Sequence, residues 1–286
     1  MSTIIQLTQG SKEWLEYRLK MRNASESAAV LGLSPWMTPY QLWLLKTGRA
    51  STKTTAAMQH GTDLEPAARA AYEDKTGNIM QPLVMQDGAY SASLDGMDLD
   101  GQLIVEIKCP YKGKASTLFE DAILGLYPVY YGVQIQHQLM VSGAQTAHLW
   151  IYAEGDGLLL PVDRDQEVMD RIRQGWEQFQ GYLDSDTPPP LAEADTVIRE
   201  DDVWSAAAKA YSEAKVAADK ADAVLAQAKA ELVAMAQHPK ESGAGVSVTR
   251  FWKQGAVAYA KVPALLGLDL SAYRGKSREE VRVSMT

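Results

Sequence analysis

The sequence predicts an α/β fold in which helices flank a mixed central sheet, followed by a long helix and a β-hairpin as a C-terminal extension. Three observations predict it. Helix-like runs fill residues 11–77. Short β-rich runs punctuated by Asp-Gly follow over 79–108. A helix, two strands and a further helix then continue to 183. Elements in that order pack as helices on a mixed sheet.

The first helix is read over 11–20 (SKEWLEYRLK). A second starts near Ser25, a good capping residue, and ends at Gly32. SPWMTP is a loop. YQLWLLKTG gives a helix stopped by Gly48, and MQHGTDLEPAARAAYEDKTG a longer one ending at Gly77. Strands at 79–86, 90–94 and 102–108 are separated by Asp87-Gly88, Asp95-Gly96 and Asp100-Gly101, dipeptides that favour tight turns, so the three form a meander. VYYGVQIQHQLMVSG predicts a helix over about 129–142. Strands follow at 146–153 and 157–163, and a helix at about 165–183 closes the unit. DSDTPPP at 184–190 is a stiff polar linker.

Residues 201–238 contain neither glycine nor proline. Trp204, Tyr211, Ala218, Leu225 and Leu232 recur every seven residues, with Ala207, Ala214, Ala221, Ala228 and Met235 three residues after each. That is an alanine-rich heptad seam, which either lies on its own domain or pairs between chains. Residues 245–262 read as a β-hairpin turning at Lys253-Gln254-Gly255, and the end of the chain, LDLSAYRGKSREEVRVSMT, is basic. The expected organisation is a domain over 1–183, a linker over 184–199 and an extension over 200–286.

Composition narrows the chemistry. With 286 residues and 46% apolar side chains, the chain can build a packed core. Its longest apolar runs fall short of the ~20 residues that span a bilayer, and the N-terminus does not read as a secretory signal, so a cytoplasmic location without membrane attachment is expected. A single cysteine, Cys109, excludes an internal disulfide framework and a four-cysteine metal site, and the four histidines lack i,i+4 spacing. The net charge of −8 argues against coating nucleic acid by bulk charge. The acidity is uneven: residues 184–241 hold twelve acidic and six basic side chains, which leaves room for a DNA groove elsewhere.

The informative cluster is SLDG at 93–96 followed by VEIKCP at 105–110. Asp95 is read as ending one strand, and Glu106 and Lys108 share a face of the next, because strand side chains alternate. If the strands pair, two carboxylates and a lysine converge at one sheet end. Such a pair suits Mg²⁺, with waters and a substrate phosphate completing its shell, and the lysine could orient an attacking water or help deprotonate it. By itself an E-x-K strand face is more often a solvated charge pair. Three further features add weight. Glu65 lies in GTDLEP on the helix before the meander. Gln134, Gln136 and Gln138 lie on the helix after it, with Gln134 and Gln138 on one face. Arg18 and Ser25 flank the start of the second helix, a ready phosphate site.

The order QGSKEWLEYRLKMRNASESAAVLG, GTDLEP, SLDG, EIKCP, YYGVQIQHQLMVSG resembles the phage lambda exonuclease and YqaJ-type viral recombinase family, within the PD-(D/E)XK nucleases, over roughly residues 9–183. The resemblance implies that Asp95, Glu106 and the backbone carbonyl of Ile107 bind Mg²⁺, with Mn²⁺ as a substitute. It implies that Lys108 is the catalytic lysine and that Glu65 helps hold metal or water. Gln134 would line the site, the choice among the three glutamines staying open, and Arg18, Ser25 and Ser93 would receive a 5′-phosphate. It further implies 5′-to-3′ digestion of double-stranded DNA ends, a homo-oligomer (a trimer), and a single-strand annealing protein as partner. Leu94 stands where the family's signature has proline. The alternatives are an endonuclease of the same fold, or an inactive scaffold that binds a recombination partner.

Overall fold

The structure, a computed structural model, describes residues 2–197, 199, 201–252 and 255. It divides into two compact units, Met1–Thr196 and Val197–Thr286.

The first unit is built on a seven-stranded sheet. Its strands are β1 (Thr3–Ile5), β2 (Arg22–Asn23), β3 (Gln81–Asp87), β4 (Tyr90–Met97), β5 (Leu103–Lys108), β6 (Thr146–Ala153) and β7 (Asp156–Asp163). The order is β1-β3-β4-β5-β6-β7, with β2 pairing β4. β5 and β6 run parallel and the other pairs along this path are antiparallel, so the expected mixed sheet is present. The short helices α1 (Lys12–Lys20), α2 (Ser27–Val30) and α3 (Pro39–Lys46) precede the long α4 (Ala56–Thr76). Between β5 and β6 come α5 (Thr117–Ile123) and α6 (Val129–Ser142), and α7 (Gln166–Asp184) follows β7. α4 ends at Gly77, whose φ of 75° is cheap only for glycine.

The alternation of β5 sorts the layers. Ile104 joins the core shared with Ile135 and Leu139 of α6, while Val105 and Ile107 pack with Ala68 and Tyr72 of α4. α4 therefore covers one face and α6 the other. Behind α6, Trp43 of α3 and Ile172, Trp176 and Phe179 of α7 build a second apolar cluster with Ala28 and Ala29.

Several expectations change. Asp95-Gly96 is not a turn: β4 runs through it to Met97. The first turn of the second helix is a 3₁₀ turn, Ala24–Glu26. The α5 helix, capped by Ser116, and the brief strands β1 and β2 have no counterpart among the elements expected from the sequence. Residues 185–196 are tied to the first unit, since Arg49 holds Asp186 through two 2.8 Å bonds and Thr38 Oγ1 donates to Asp195 at 2.5 Å.

In the second unit α8 (Asp202–Met235) forms the heptad helix and no residue of it is buried. A hairpin precedes the expected one, whose second strand lies outside the described residues. β8 (Lys240–Gly243) pairs with β9 (Val246–Thr249) around Ala244-Gly245, so Val246–Thr249 has a strand partner before it. The expected turn residues Lys253 and Gln254, and the basic end of the chain, lie outside the described residues. No helix among the described residues is long and apolar enough to cross a membrane.

One buried titratable group lies in the α2–α6–α7 interface. Trp176 Nε1 donates to Ser27 Oγ at 2.9 Å, and Ser27 Oγ is hydrogen-bonded to His137 Nδ1 at 2.6 Å. Burial pushes the His137 imidazole down to about 3. The unfolded chain protonates this ring near 6.5, so its contribution to stability holds above that pH and is lost as pH falls toward 3. Between pH 7 and pH 5, denaturant unfolding of the wild-type chain should lose about 2 kcal/mol that His137→Gln does not lose. Equal losses in both proteins would refute this.

Candidate active site

The site is an opening in the sheet. β4 pairs with β5 only at Gly96↔Val105 and Met97↔Ile104, whereas β5 keeps pairing with β6 to Lys108↔Ile151. On its other side β4 carries a bulge: Leu94 pairs with Leu83 but Met97 with Gln81. The bulge places Asp95-Gly96 where the strands part, and bulges commonly re-aim side chains in this way. Gly96 is required by space: a Cβ there would lie 2.7 Å from Met80 Cβ and 2.8 Å from Val105 Cγ1.

Asp95 occupies the parting. Its Oδ2 accepts from the Ile107 N–H at 2.7 Å, replacing a ladder bond. A strand residue's N–H and C=O point to the same side, so the Ile107 carbonyl faces β4 too. Glu106 points toward α6 and is 2% exposed. Its Oε1 accepts from Lys108 Nζ and from Gln134 Nε2 at 2.7 Å, and its Oε2 accepts from Gln138 Nε2 at 2.5 Å. Both Gln134 and Gln138 thus reach the site. Gln136 does not: it bonds the Asp163 carbonyl and the Asp165 N–H. Lys108 Nζ also sits 5.0 Å above the Tyr131 ring. From α4, Arg69 donates to the Asp95 carbonyl at 2.6 Å and ion-pairs with Glu65.

The electrostatics are strained. Burial, then the Glu106 anion, raise the Asp95 carboxyl well above the usual carboxylate range. Burial also raises Glu65, with Arg69 opposing and Glu106 adding to the rise. Lys108 is pulled down by burial, but Glu106 and Asp95 outweigh this and hold it protonated. Cys109 is pushed up to about 11 by burial, Asp95 and Glu65, so its thiol is neutral at pH 7 and the available donors are oxygens. Among the described residues no three His, Cys, Asp or Glu side chains form a ready metal cage. Mg²⁺, however, is commonly held by one or two carboxylates with waters and substrate phosphates. Asp95 and Glu106, with the Ile107 carbonyl, are an oxygen set that fits it. Glu65 stands beside them, engaged by Arg69.

The residues expected to take a phosphate form a second cluster. Arg18 Nη2 donates to Ser25 Oγ at 2.9 Å, and its guanidinium stacks 4.6 Å from the centroid of Trp14. Trp14 Nε1 in turn donates to Ser93 Oγ at 3.0 Å, so Ser93 joins the cluster through Trp14. Behind them Glu26 accepts from Arg18 (3.4 Å), from Asn23 (2.8 Å) and from Lys46, whose Nζ lies 2.7 Å away. Lys46 is 3% exposed and also donates to the carbonyls of Arg18 and Met21, each at 2.8 Å.

Sequence reading missed Arg69, Trp14, Glu26, Lys46 and Tyr131. Arg69 and Trp14 had a signal, lying i,i+4 from Glu65 and Arg18. Lys46 had none, because its partner Glu26 is twenty residues away.

Two outcomes follow. Because the folded Asp95 carboxyl is raised, its favourable contribution exists below its unfolded value and is lost as pH rises through the folded one. Asp95→Asn should therefore raise the melting temperature of metal-free protein at pH 7–8, and added Mg²⁺ should stabilise the wild type but not the variant. Unchanged melting on substitution would contradict the buried-charge account. Lys46→Met leaves Glu26 without its nearest cation and should cost on the order of 3 kcal/mol in denaturant unfolding. A loss below about 0.5 kcal/mol would show that the clamp contributes little.

With this geometry in view, comparison places the chain among known proteins. Residues 13–145 match the YqaJ-like viral recombinase domain. The chain is 29% identical over 177 residues to the uncharacterized protein YqaJ of Bacillus subtilis (strain 168), a match covering 58% of this chain. It spans about half, 54%, of that relative's length. The fold is similar to the crystal structure of an alkaline exonuclease (LHK-Exo) from Laribacter hongkongensis. The TM-score is 0.54 and the identity 27%, over 62% of this chain and 94% of that one. The same values hold for LHK-Exo in complex with dAMP. The likeness to YqaJ-type recombinases read from the motif order is thus present over residues 13–145, on an exonuclease fold.

Proposed function

We propose that the chain is a metal-dependent deoxyribonuclease that digests duplex DNA from 5′ ends and leaves 3′ single strands for phage-type homologous recombination. One observation carries the reading: a fully buried Glu106, oriented by Lys108, Gln134 and Gln138, lies beside Asp95 where β4 and β5 part. The YqaJ-like domain and the alkaline exonuclease fold support nuclease chemistry in recombination.

Asp95, Glu106 and the Ile107 carbonyl would hold Mg²⁺, or Mn²⁺ in its place. The ion would neutralise phosphate charge and acidify a water. Gln134 and Gln138 fix the Glu106 carboxylate, and Arg69 fixes Glu65 and the Asp95 backbone. Lys108, held as a cation, donates to the phosphate oxygens as negative charge builds on them. Arg18 and Ser25 receive the terminal 5′-phosphate and so set the distance to the bond that breaks. The 5′ polarity, a trimeric assembly, action in the bacterial cytoplasm and transfer of the 3′ strand to an annealing protein complete the proposal on the strength of the family resemblance.

End-labelled linear duplex, with and without a 5′-phosphate, in Mg²⁺ or chelator, tests this. Wild-type protein should digest the phosphorylated duplex only with the metal and leave supercoiled circles intact. Asp95→Ala and Lys108→Ala should each slow digestion by at least about a hundredfold while melting cooperatively. Cleavage of closed circles would assign an endonuclease instead, and wild-type rates in either variant would remove the site.

A further inference from the structure

Trp36 lies in the loop between α2 and α3 and is 66% exposed. An indole so open to water is costly, yet its loop is held in place. The N–H groups of Leu33 and Ser34 both donate to the Ala28 carbonyl, at 2.8 and 3.1 Å, and the Trp36 N–H donates to Ser34 Oγ at 3.2 Å. The ring meets Tyr130 edge-to-face at 4.7 Å and lies 6.0 Å from Tyr131. Edge-to-face contact leaves a π-face of the indole open. Tyr130 and Tyr131 brace each other at 4.6 Å. Two steps, of 6.0 and 5.0 Å through Tyr131, connect the Trp36 ring to Lys108 Nζ.

The cluster is therefore a braced aromatic surface one short reach from the lysine of the candidate active site. The Lys108 ammonium lies at its border and its exposed face is a π-system, which complement a phosphate and the base attached to it. We infer that Trp36, backed by Tyr130 and Tyr131, stacks on the nucleobase beside the phosphate under attack. Base stacking on an aromatic side chain is indifferent to sequence, as an enzyme that processes whatever end it meets requires. This inference rests on the nuclease reading for its role in the reaction, though not for the binding it asserts.

The test uses the full chain in chelator, so that nothing is cut. The probe is a fluorescent hairpin DNA with a 5′-phosphorylated single-stranded end, carrying either natural or abasic terminal nucleotides, and affinity is read by anisotropy. The wild type should bind the abasic probe about tenfold more weakly. Trp36→Ala should lose about tenfold on the natural probe and nothing further on the abasic one, while Trp36→Phe recovers part of the loss. Denaturant midpoints matching the wild type would show that both variants fold. Equal abasic penalties in wild type and Trp36→Ala overturn the inference, as does an absence of DNA binding. A Trp36→Ala change in mass in solution with unchanged DNA affinity also overturns it, by assigning the patch to contacts between copies of this chain. Digestion of the same probe in Mg²⁺ keeps the two proposals separable. A wild type that discriminates the abasic end yet cuts nothing leaves stacking intact and refutes the nuclease reading. Cutting without discrimination does the reverse.

Discussion

The burial of the Glu106 carboxylate between the sheet and α6 is the constraint that the rest of the structure answers. A carboxylate removed from water is tolerated only when its lone pairs are met by donors. Here a lysine and two glutamines meet them. The glutamines can do so because Gln134 and Gln138 sit one helical turn apart on the face that α6 lays against the sheet. Lys108 can do so because it sits two residues further along the same strand face. Asp95 then has to lie close by without destroying the sheet, and the bulge at Asp95-Gly96 permits it. A second carboxylate replaces a backbone acceptor for Ile107, and Gly96 yields the space that Met80 and Val105 fill.

Two charged clusters with opposite remainders result. Counted formally, Glu65, Asp95 and Glu106 against Arg69 and Lys108 leave one negative charge at the parting of the strands. Arg18 and Lys46 against Glu26 leave one positive charge beneath α1. The first remainder attracts a cation and the second an anion. Trp14 joins the second cluster to β4, since it stacks on Arg18 and bonds Ser93, two residues before Asp95. A phosphodiester chain with a metal ion at one phosphate and a cationic pocket at another suits that arrangement.

The element order was legible because apolar periodicity changes sharply at residue 78 and again after 108. The register was not. Asp-Gly signals a turn at 87–88 and 100–101, and it does so at 95–96 with equal local force. What decides otherwise is Met80 and Val105 pressing on Gly96, contacts made only after folding. The glutamine ambiguity had the same origin: spacing groups Gln134 with Gln138 but does not say which helix face meets the sheet. The hairpin that ends in Val246–Thr249 was not legible because its first strand, Lys240–Gly243, is too polar to announce itself. The site residues Asp95, Glu106 and Lys108 were legible because they lie within fourteen residues. The Glu26–Lys46 clamp behind Arg18 was not, because nothing local joins its halves.

The protonation of Lys108 narrows the chemistry further. Burial alone would release the proton and free an amine to act as a base. Glu106 and Asp95 outweigh burial and keep the ammonium charged. Without a cation between those carboxylates, the charged ammonium orients neighbouring groups and stabilises negative charge rather than accepting a proton. The groups at the site that can accept a proton are the carboxylates. Two of them, Asp95 and Glu65, are raised above their ordinary values, chiefly by burial. Neutralising Lys108 would remove the cation that a phosphate needs and unbalance the buried Glu106 in the same stroke. Charge stabilisation and the integrity of the carboxylate site are therefore one property of this strand, set by the two-residue spacing of Glu106 and Lys108.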